Sequence, residues 1–288
     1  MTQTQTETVE ARIKTMALEM GADVVGIAAV SDFYDECPEG YRPDDLLKGA
    51  KSVIVVGKRR YTTGQWMAPN TDLIHRARSG QGNRDTIGAT LAGLFEREYG
   101  HAALMVNAGM FDTGFVPVLS LKVCAELAGL GTRSMAGGII LNKEHGLMGF
   151  VATITTMELS PDGPMTTPVC PDRACIAMYA KEGTTPCIKS CRAIEGVIEN
   201  GRLKEVIFYR QLCATRANTT MNTAYLRLLP EIVEEKDPER RKYLAIGQAR
   251  KYIEDPPGRG IWGRCIECMR VCPVNCRAIQ LKSGEAHV

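Results

Sequence analysis

Apolar positions near the start of the chain change from helical to strand-like spacing within thirty residues. A helix is predicted over residues 7–20, where four apolar side chains recur on one stripe: Val9, Ile13, Met16 and Met20. Gly21 ends that helix. The continuous apolar run from Val24 to Val30 then predicts a buried strand.

The same alternation continues through residue 106. Ser52–Gly57 is a short β-branched run that predicts a second strand. A polar, glycine-bearing loop around residues 60–83 precedes a helix that Gly100 stops. Its apolar positions are Ile87, Leu91, Leu94 and Phe95. A third strand is predicted at Ala102–Val106.

A glycine-rich segment interrupts the next part of the chain. A helix is predicted over residues 118–128, and strands are predicted at Ile139–Leu141 and Phe150–Thr156. Between them four glycines break the pattern: Gly129, Gly131, Gly137 and Gly138. These elements predict an α/β or α+β layer built on a central sheet.

A cluster of turn-forming residues follows that layer. Its members are Pro161, Gly163, Pro164 and Pro168. They predict a boundary between an α/β domain of residues 1–165 and a cysteine-rich domain of residues 166–288. Within the second domain a long helical stretch is predicted over Thr223–Glu254. Either it packs around the cysteines, with Tyr243 and Ile246 among its apolar positions, or it forms a solvated helical hairpin.

Composition narrows the class of protein. The chain has 288 residues, 44% of them apolar, and no apolar run long enough to cross a bilayer, which predicts a globular protein with no membrane part. Its 35 basic and 33 acidic residues give a net charge of +2. Such a balance makes no electrostatic case for a nucleic-acid partner.

Eight of the eleven cysteines sort into two sets, the number that two 4Fe-4S clusters require. They are Cys170, Cys175, Cys187 and Cys191, then Cys213, Cys265, Cys268 and Cys272. The segment from Cys265 to Pro273 has the x2 and x3 spacing and the closing proline of a bacterial ferredoxin run. The first run is stretched, and Arg192 stands where a proline is expected.

In two-cluster ferredoxins the cysteine before the proline binds the other cluster. That rule predicts an exchange of ligands between the two runs. One cluster would be held by Cys265, Cys268, Cys213 and Cys191. The other would be held by Cys170, Cys175, Cys187 and Cys272.

Other uses of the cysteines stay open. Tetrahedral zinc also uses four cysteines with x2 pairs, although this chain has a single such pair. Disulfides are not expected, because the start MTQTQTETVE has no secretion signal and predicts a cytoplasmic protein. Cys37 and Cys124 are expected to be ordinary residues, with Cys124 a small buried side chain on a helix, and Cys276 to be a spare.

Together these motifs resemble a known family. The segment Gly260–Asn275, the lone Cys213 upstream and Ala125–Gly131 look like epoxyqueuosine reductase and the cobalamin-dependent reductive dehalogenases. The stretch from Asn142 to Gly146 and the strand ending at Leu159 resemble what precedes the first cysteine run in those proteins. The resemblance covers most of the chain.

The resemblance implies a nitroreductase-like domain that binds a corrinoid, followed by a ferredoxin-like domain with two 4Fe-4S clusters. It implies electrons passing through the clusters to cobalt, from a low-potential donor such as ferredoxin or flavodoxin, and a reductive reaction on a small molecule. The same four glycines, Gly129, Gly131, Gly137 and Gly138, are the implied cofactor-binding residues.

Reductive cleavage requires a proton donor beside the cofactor. Asp112 lies where the family has an aspartate-bearing segment, so it is the candidate general acid, with a turn or helix cap as the alternative. Burial would have to raise its pKa for that role. Tyr61, His75 and Arg133 are further candidates that structural or surface roles would explain as well.

Departures from the family limit what the resemblance implies. The segment Gly131–Gly138 lacks the aromatic and the lysine expected of epoxyqueuosine reductase, and no helical-repeat segment follows the second cysteine run, so a tRNA partner is not expected. The start has no twin-arginine leader of the kind that exported dehalogenases carry. Three functions remain: a corrinoid enzyme, an electron-transfer protein that reduces a corrinoid or flavin on a partner, and a zinc-bearing module.

Overall fold

The computed structural model describes residues 8–67, 83–108, 110, 116–213, 229–247 and 265–280. Its centre is a sheet in which every pairing among the described strands is antiparallel. The strands are β1 (Val24–Ala29), β2 (Ser52–Arg59), β3 (Ala103–Val106), β4 (Thr132–Arg133), β5 (Ile140–Asn142) and β6 (Gly146–Thr155). Their order is β1-β2-β6-β5-β4, with β3 also paired to β6. Antiparallel pairing makes this the α+β form of the predicted layer.

Strand β6 is buried along its whole length because it pairs with β2 on one side and with β3 on the other. Its register places Val55 opposite Ala152 and Ile54 opposite Thr153. Side chains alternate across the strands, so neighbouring residues of β2 enter different cores. Val53 and Val55 enter one core, and Ile54 and Val56 enter the other.

Helices cover both faces of the sheet. They are α1 (Val9–Glu19), α2 (Pro43–Leu46), α3 (Thr63–Trp66), α4 (Asn83–Tyr99) and α5 (Leu121–Leu127). Helices α1 and α4 pack on one face through side chains such as Ile13, Leu91 and Phe95. Helix α5 packs on the other face. The predicted helices and strands of this half are confirmed, with ends shifted by a few residues.

Gly26 in β1 allows a close approach between the sheet and the end of α5. A Cβ built at Gly26 would lie 2.2 Å from the carbonyl oxygen of Ala128 and 2.9 Å from Leu130 Cδ2. The carbonyl belongs to the backbone, so it cannot turn aside as a flexible side chain could. The sheet can therefore pack against the end of α5 here only because residue 26 has no side chain.

Gly26→Ala is expected to lower the free energy of unfolding by about 1–3 kcal/mol, the usual cost of overpacking a core. Gly64→Ala is the matched control, because Gly64 lies in helix α3 and a Cβ there meets nothing within 4 Å. Alanine at that helical position should be neutral or stabilising by up to about 1 kcal/mol. Urea unfolding of both variants checks this, and equal stabilities would contradict it.

The cysteine-rich half contributes short elements around a third core. They are α6 (Arg173–Glu182), α7 (Pro186–Ser190), β7 (Ile194–Glu199), β8 (Arg202–Phe208), α8 (Pro238–Lys242), a π-helical turn (Tyr243–Gly247), α9 (Glu267–Arg270) and α10 (Pro273–Ile279). The third core joins Leu141 and Leu147 of the sheet to Ile194, Met269 and Val274. The antiparallel hairpin β7–β8 was not predicted from the sequence. Division of the chain into two domains at residue 165 stays a prediction.

The long helix predicted over residues 223–254 is wrong in its described part, because residues 235–237 interrupt it. Asp237 caps α8 there by accepting from the N–H groups of Glu239 and Arg240. Tyr243 and Ile246 are 72% and 56% exposed, so they do not pack around the cysteines. The alternative prediction of a solvated helical hairpin describes residues 229–247 better.

Candidate functional site

Four cysteines from two distant parts of the chain line one pocket: Cys170, Cys175, Cys187 and Cys272. The pocket walls otherwise consist mainly of apolar side chains, including Ala136, Leu141 and Met269. This is the set that the ligand-exchange rule predicted from the sequence. Its four soft thiolates and apolar walls are the donor set that a 4Fe-4S cluster takes.

Short helices position these sulfurs. Cys175 lies in the first turns of α6, and Cys187 lies in α7, which begins with Pro186. Cys272 is the residue before the first turn of α10, which begins with Pro273. Proline suits the first position of a helix, where no N–H is needed, so each Cys-Pro or Pro-Cys pair fixes a helix start beside a sulfur.

Hydrogen-bond donors from the backbone and from a side chain lie next to sulfur atoms of the first cysteine set. The N–H of Met135 donates to Cys170 Sγ at 3.5 Å, and the Thr185 hydroxyl lies 3.3 Å from Cys187 Sγ. The N–H groups of Asn275 and Val274 hydrogen-bond to Cys272 and act to lower its pKa. Sequence reasoning missed Met135 and Thr185. Met135 is 35 residues from Cys170, so no spacing relates the two, whereas Thr185 stands two residues before Cys187.

The second set is gathered around Cys268. The Cys268 thiolate interacts electrostatically with Cys191, Cys265 and Cys213. These are the other three members that the exchange rule predicts. Cys268 interacts also with Cys187 of the first set. The two sets are therefore neighbours, and both pack against the same apolar core.

Burial raises the pKa of all four thiols of the first set and of Cys268 in the second. It raises the pKa of Cys170 and of Cys268 to about 12, and that of Cys175 to about 11. Such thiols stay protonated at neutral pH on their own. A bound cationic centre offsets the burial cost of the thiolate, so binding releases protons.

Within the described ranges, no three His, Cys, Asp or Glu side chains lie close enough together to hold one metal ion. A four-iron cube binds each thiolate to a different iron, whereas a single zinc gathers all four around one ion. The cube therefore places its ligands further apart.

An ion pair fastens the two cysteine runs together beside the pocket. Asp172 accepts from the N–H of Ala174 and so caps α6, and its carboxylate also binds Arg277 of α10. The Asp172 side chain is 15% exposed. Hydrogen bonding from Arg277 lowers the pKa of Asp172. One carboxylate thus holds the helix that bears Cys175 against the helix that follows Cys272.

Asp172→Ala should lower the free energy of unfolding by about 1 kcal/mol or more, because it removes the cap and the ion pair. Asp172→Asn keeps a capping side chain and should cost less. A lowered folded-state pKa means that the ion pair stabilises above the ordinary carboxyl pKa, about 3.9, and is lost as the pH falls through the lowered value. Denaturant unfolding at pH 7 and pH 3 measures this.

The control for this prediction is Asp237→Ala, which removes a cap from α8 at a site exposed to solvent and without an ion pair to another helix. It should show a smaller loss at pH 7. Equal losses in Asp172→Ala and Asp237→Ala at pH 7 would contradict the role of Arg277.

The remaining cysteines have other contacts. Cys276 Sγ donates to the carbonyl of Arg270 at 3.1 Å. Cys124 is fully buried in α5, which confirms the expected small buried side chain on a helix. Cys37 is also buried in the first core. These three thiols belong to the packing of the protein in the described structure.

Three of the four predicted cofactor-binding glycines are covered by the chain itself. A Cβ on Gly129 would lie 2.6 Å from the Gly163 carbonyl, and one on Gly131 would lie 2.5 Å from the Leu141 carbonyl. A Cβ on Gly137 would lie 2.8 Å from the Phe208 ring. Gly138 alone is open. Their role in cofactor binding stays a prediction.

The candidate general acid Asp112 and the candidate His75 lie outside the described residues. Tyr61 is 1% exposed and packs against Trp66 with ring centroids 5.5 Å apart. Arg133 forms ion pairs with Glu126 at 2.5 Å and with Glu36 at 2.9 Å. These contacts give Tyr61 and Arg133 structural functions in the described protein.

This fold is that of two kinds of solved reductase. Epoxyqueuosine reductase from Streptococcus thermophilus matches with a TM-score of 0.50 and 16% identity, over 93% of this chain and 66% of that chain. A structure of epoxyqueuosine reductase with a tRNA-Tyr epoxyqueuosine-modified stem loop matches with a TM-score of 0.50 and 17% identity, over 93% and 65%. A catabolic reductive dehalogenase in complex with 3-bromo-4-hydroxybenzoic acid matches with a TM-score of 0.51 and 19% identity, over 94% and 38%.

At these identities the likeness shows the fold. The chain spans 66% and 65% of the two epoxyqueuosine reductases and 38% of the dehalogenase. No protein-family profile matches the sequence. No curated protein matches it either. Both kinds of reductase named from the sequence motifs are thus confirmed as sharing the fold. Within the described part of the chain, no helix is both long enough and apolar enough to cross a membrane.

Proposed function

We propose that this chain is an iron-sulfur oxidoreductase in which two 4Fe-4S clusters deliver electrons for the reduction of a small molecule. Cys170, Cys175, Cys187 and Cys272 would hold one cluster. Cys191, Cys213, Cys265 and Cys268 would hold the other. When bound, such clusters supply one-electron transfer at low potential.

One observation carries the proposal: Cys272, from the second run, lines one pocket with Cys170, Cys175 and Cys187 of the first run. Cys191 of the first run interacts with Cys268 of the second, as the exchange would require. Ligand exchange between runs is the arrangement of two-cluster ferredoxins, and it keeps the two centres adjacent. The interaction between Cys268 and Cys187 supports a short path between them. Likeness of fold to two kinds of reductase points the same way.

Residues of this chain provide the setting for electron transfer. Apolar side chains such as Leu141, Met269 and Val274 keep water from the pocket. Met135, Thr185 and the start of α10 direct hydrogen-bond donors at the sulfurs. Asp172 and Arg277 hold the two runs together. Hydrogen-bond donors held in a dry pocket tune the reduction potential of a bound cluster. They do not have to reorient when the cluster takes up an electron.

A corrinoid as the electron acceptor, and a halogenated or oxygenated small molecule as the substrate, belong to the proposal through the sequence resemblance. The described glycines do not by themselves form a corrinoid cradle, since the chain covers three of the four. Asp112 stays the predicted proton donor.

An electron-transfer protein is the second candidate, and one surface favours it. Hairpin β7–β8 and the residues after it expose a row of apolar side chains: Val206, Ile207, Phe208, Tyr209 and Leu212. The row leads directly to Cys213 of the second set. Such a surface suits contact with a partner that carries a corrinoid or flavin of its own.

Metal content and spectrum, measured on protein purified without oxygen and reconstituted in the presence of cobalamin, test the proposal. About eight irons with one cobalt support the corrinoid enzyme, and turnover of 3-bromo-4-hydroxybenzoic acid and of an epoxyqueuosine-bearing stem loop then compares the two substrate classes. About eight irons without cobalt support the electron carrier. Zinc in place of iron would refute both.

A further inference from the structure

Ser134 has a buried hydroxyl group with no partner in the described structure. The residue is 2% exposed, and its Oγ forms no hydrogen bond. Leaving a hydroxyl buried and unpaired costs free energy comparable to a lost hydrogen bond, so an unpaired one in a native protein points to a ligand or an ion.

The place of this hydroxyl identifies the missing partner. Ser134 lines the same pocket as Cys170, Cys175, Cys187 and Cys272. The backbone of Ser134 is fixed, because its N–H donates to the Ile139 carbonyl at 2.9 Å and its carbonyl accepts from Gly138 at 3.0 Å. The side chain therefore stays in the pocket wall, whose other residues are the four cysteines, apolar groups and Asp172, and the Asp172 carboxylate is already bound to Arg277.

We infer that the Ser134 hydroxyl donates a hydrogen bond to a sulfur atom of the cluster held by this pocket. The inference rests on the proposed iron-sulfur function and concerns one residue that tunes it. Ser134 is a positioning residue, since it acts on the potential of the cluster and contacts no substrate. Met135, the next residue, also points its N–H at Cys170 Sγ, so residues 134 and 135 together form a donor edge.

A hydrogen bond to sulfur stabilises the reduced cluster, which carries more negative charge, more than it stabilises the oxidised one. Ser134 therefore raises the reduction potential of the Cys170-set cluster. The cluster of the second set should be unaffected. The two centres would then differ in potential, which gives electrons a preferred direction between them.

Ser134→Ala tests this, with Ser52→Ala as a matched control. Ser52 is 1% exposed, like Ser134, but its Oγ accepts from the N–H of Leu159 at 2.9 Å, far from the cysteines. Both variants are reconstituted without oxygen, and their iron content and the midpoint potentials of the two clusters are measured by electron paramagnetic resonance during reductive titration. Unfolding of each iron-free protein is measured in urea.

For Ser134→Ala we expect unchanged iron, one midpoint potential shifted to a lower value, and no loss of stability in the iron-free protein. For Ser52→Ala we expect unchanged midpoints and lower stability. Two unchanged midpoints in Ser134→Ala with normal iron would overturn the inference and leave the proposed function standing. Absence of iron from the wild-type protein would overturn both.

If Ser134→Ala fails to take up the first cluster, Ser134→Thr decides between the roles. Threonine keeps the hydroxyl, so restored iron with the wild-type midpoint supports the hydrogen bond. Failure of both variants would show that the site requires the shape of serine, and it would overturn the inference.

Discussion

Serine in place of Cys272 should remove about half of the bound iron, from about eight atoms to about four. Cys272 lies in the sequence run of the second set but in the pocket of the first. Loss of its sulfur should therefore abolish the cluster of Cys170, Cys175 and Cys187, and leave that of Cys265 and Cys268. Iron analysis with the resonance signals of each cluster measures this.

The reciprocal variant is Cys191→Ser, which should remove the second cluster although Cys191 belongs to the first run. Cys37→Ser is the control, because this thiol is buried in the first core. Its iron content should equal that of the wild type. Equal iron in all three variants would refute the exchange of ligands.

Asn275→Ala should lower the free energy of unfolding by about 2–5 kcal/mol, because it leaves two buried backbone groups without partners. Asn275 is fully buried. Its Oδ1 accepts from the N–H of Leu147 at 2.8 Å, and its Nδ2 donates to the Met269 carbonyl at 3.2 Å. One amide thus ties the sheet to the second cysteine run. Urea unfolding of the iron-free protein measures the loss.

Asn275→Asp and Asn142→Ala sharpen this test. Aspartate keeps an acceptor for Leu147 but loses the donor to Met269, so it should also be strongly destabilising. Asn142 likewise bridges backbone groups, from Leu130 to Glu144 and His145, but it is only part-buried. Its loss should cost less. An Asn275→Ala protein as stable as the Asn142→Ala protein would show that the buried amide does not join the two halves.

Much of the fold could be predicted because it depends on local periodicity. The apolar stripe of α1 and the β-branched run of β2 are each patterns of about ten residues, and each pattern predicts its element. Pairing could not be read this way, because the antiparallel order of the sheet depends on residues far apart in the chain. Hairpin β7–β8 escaped prediction for two reasons. The apolar residues of β7, Ile194, Val197 and Ile198, do not alternate in sequence, and β8 is mostly exposed.

The cysteine sets could be predicted because ligand geometry leaves a spacing in the sequence. Ser134 and Asn275 leave none, since each acts through groups distant in sequence. The role of the glycine-rich segment in cofactor binding stays a prediction. Gly129 and Gly131 look like a cofactor loop, but close backbone contacts within the protein are enough to require them.

The proposed exchange of Cys272 and Cys191 between the two sets would also fix when the protein can mature. Cys272 comes 85 positions after Cys187, so the first pocket lacks one of its walls until the later cysteine has left the ribosome. The second set would likewise wait for Cys268. Neither proposed centre could be completed on a nascent chain that stops earlier, and truncated products would carry thiols without a full set of ligands.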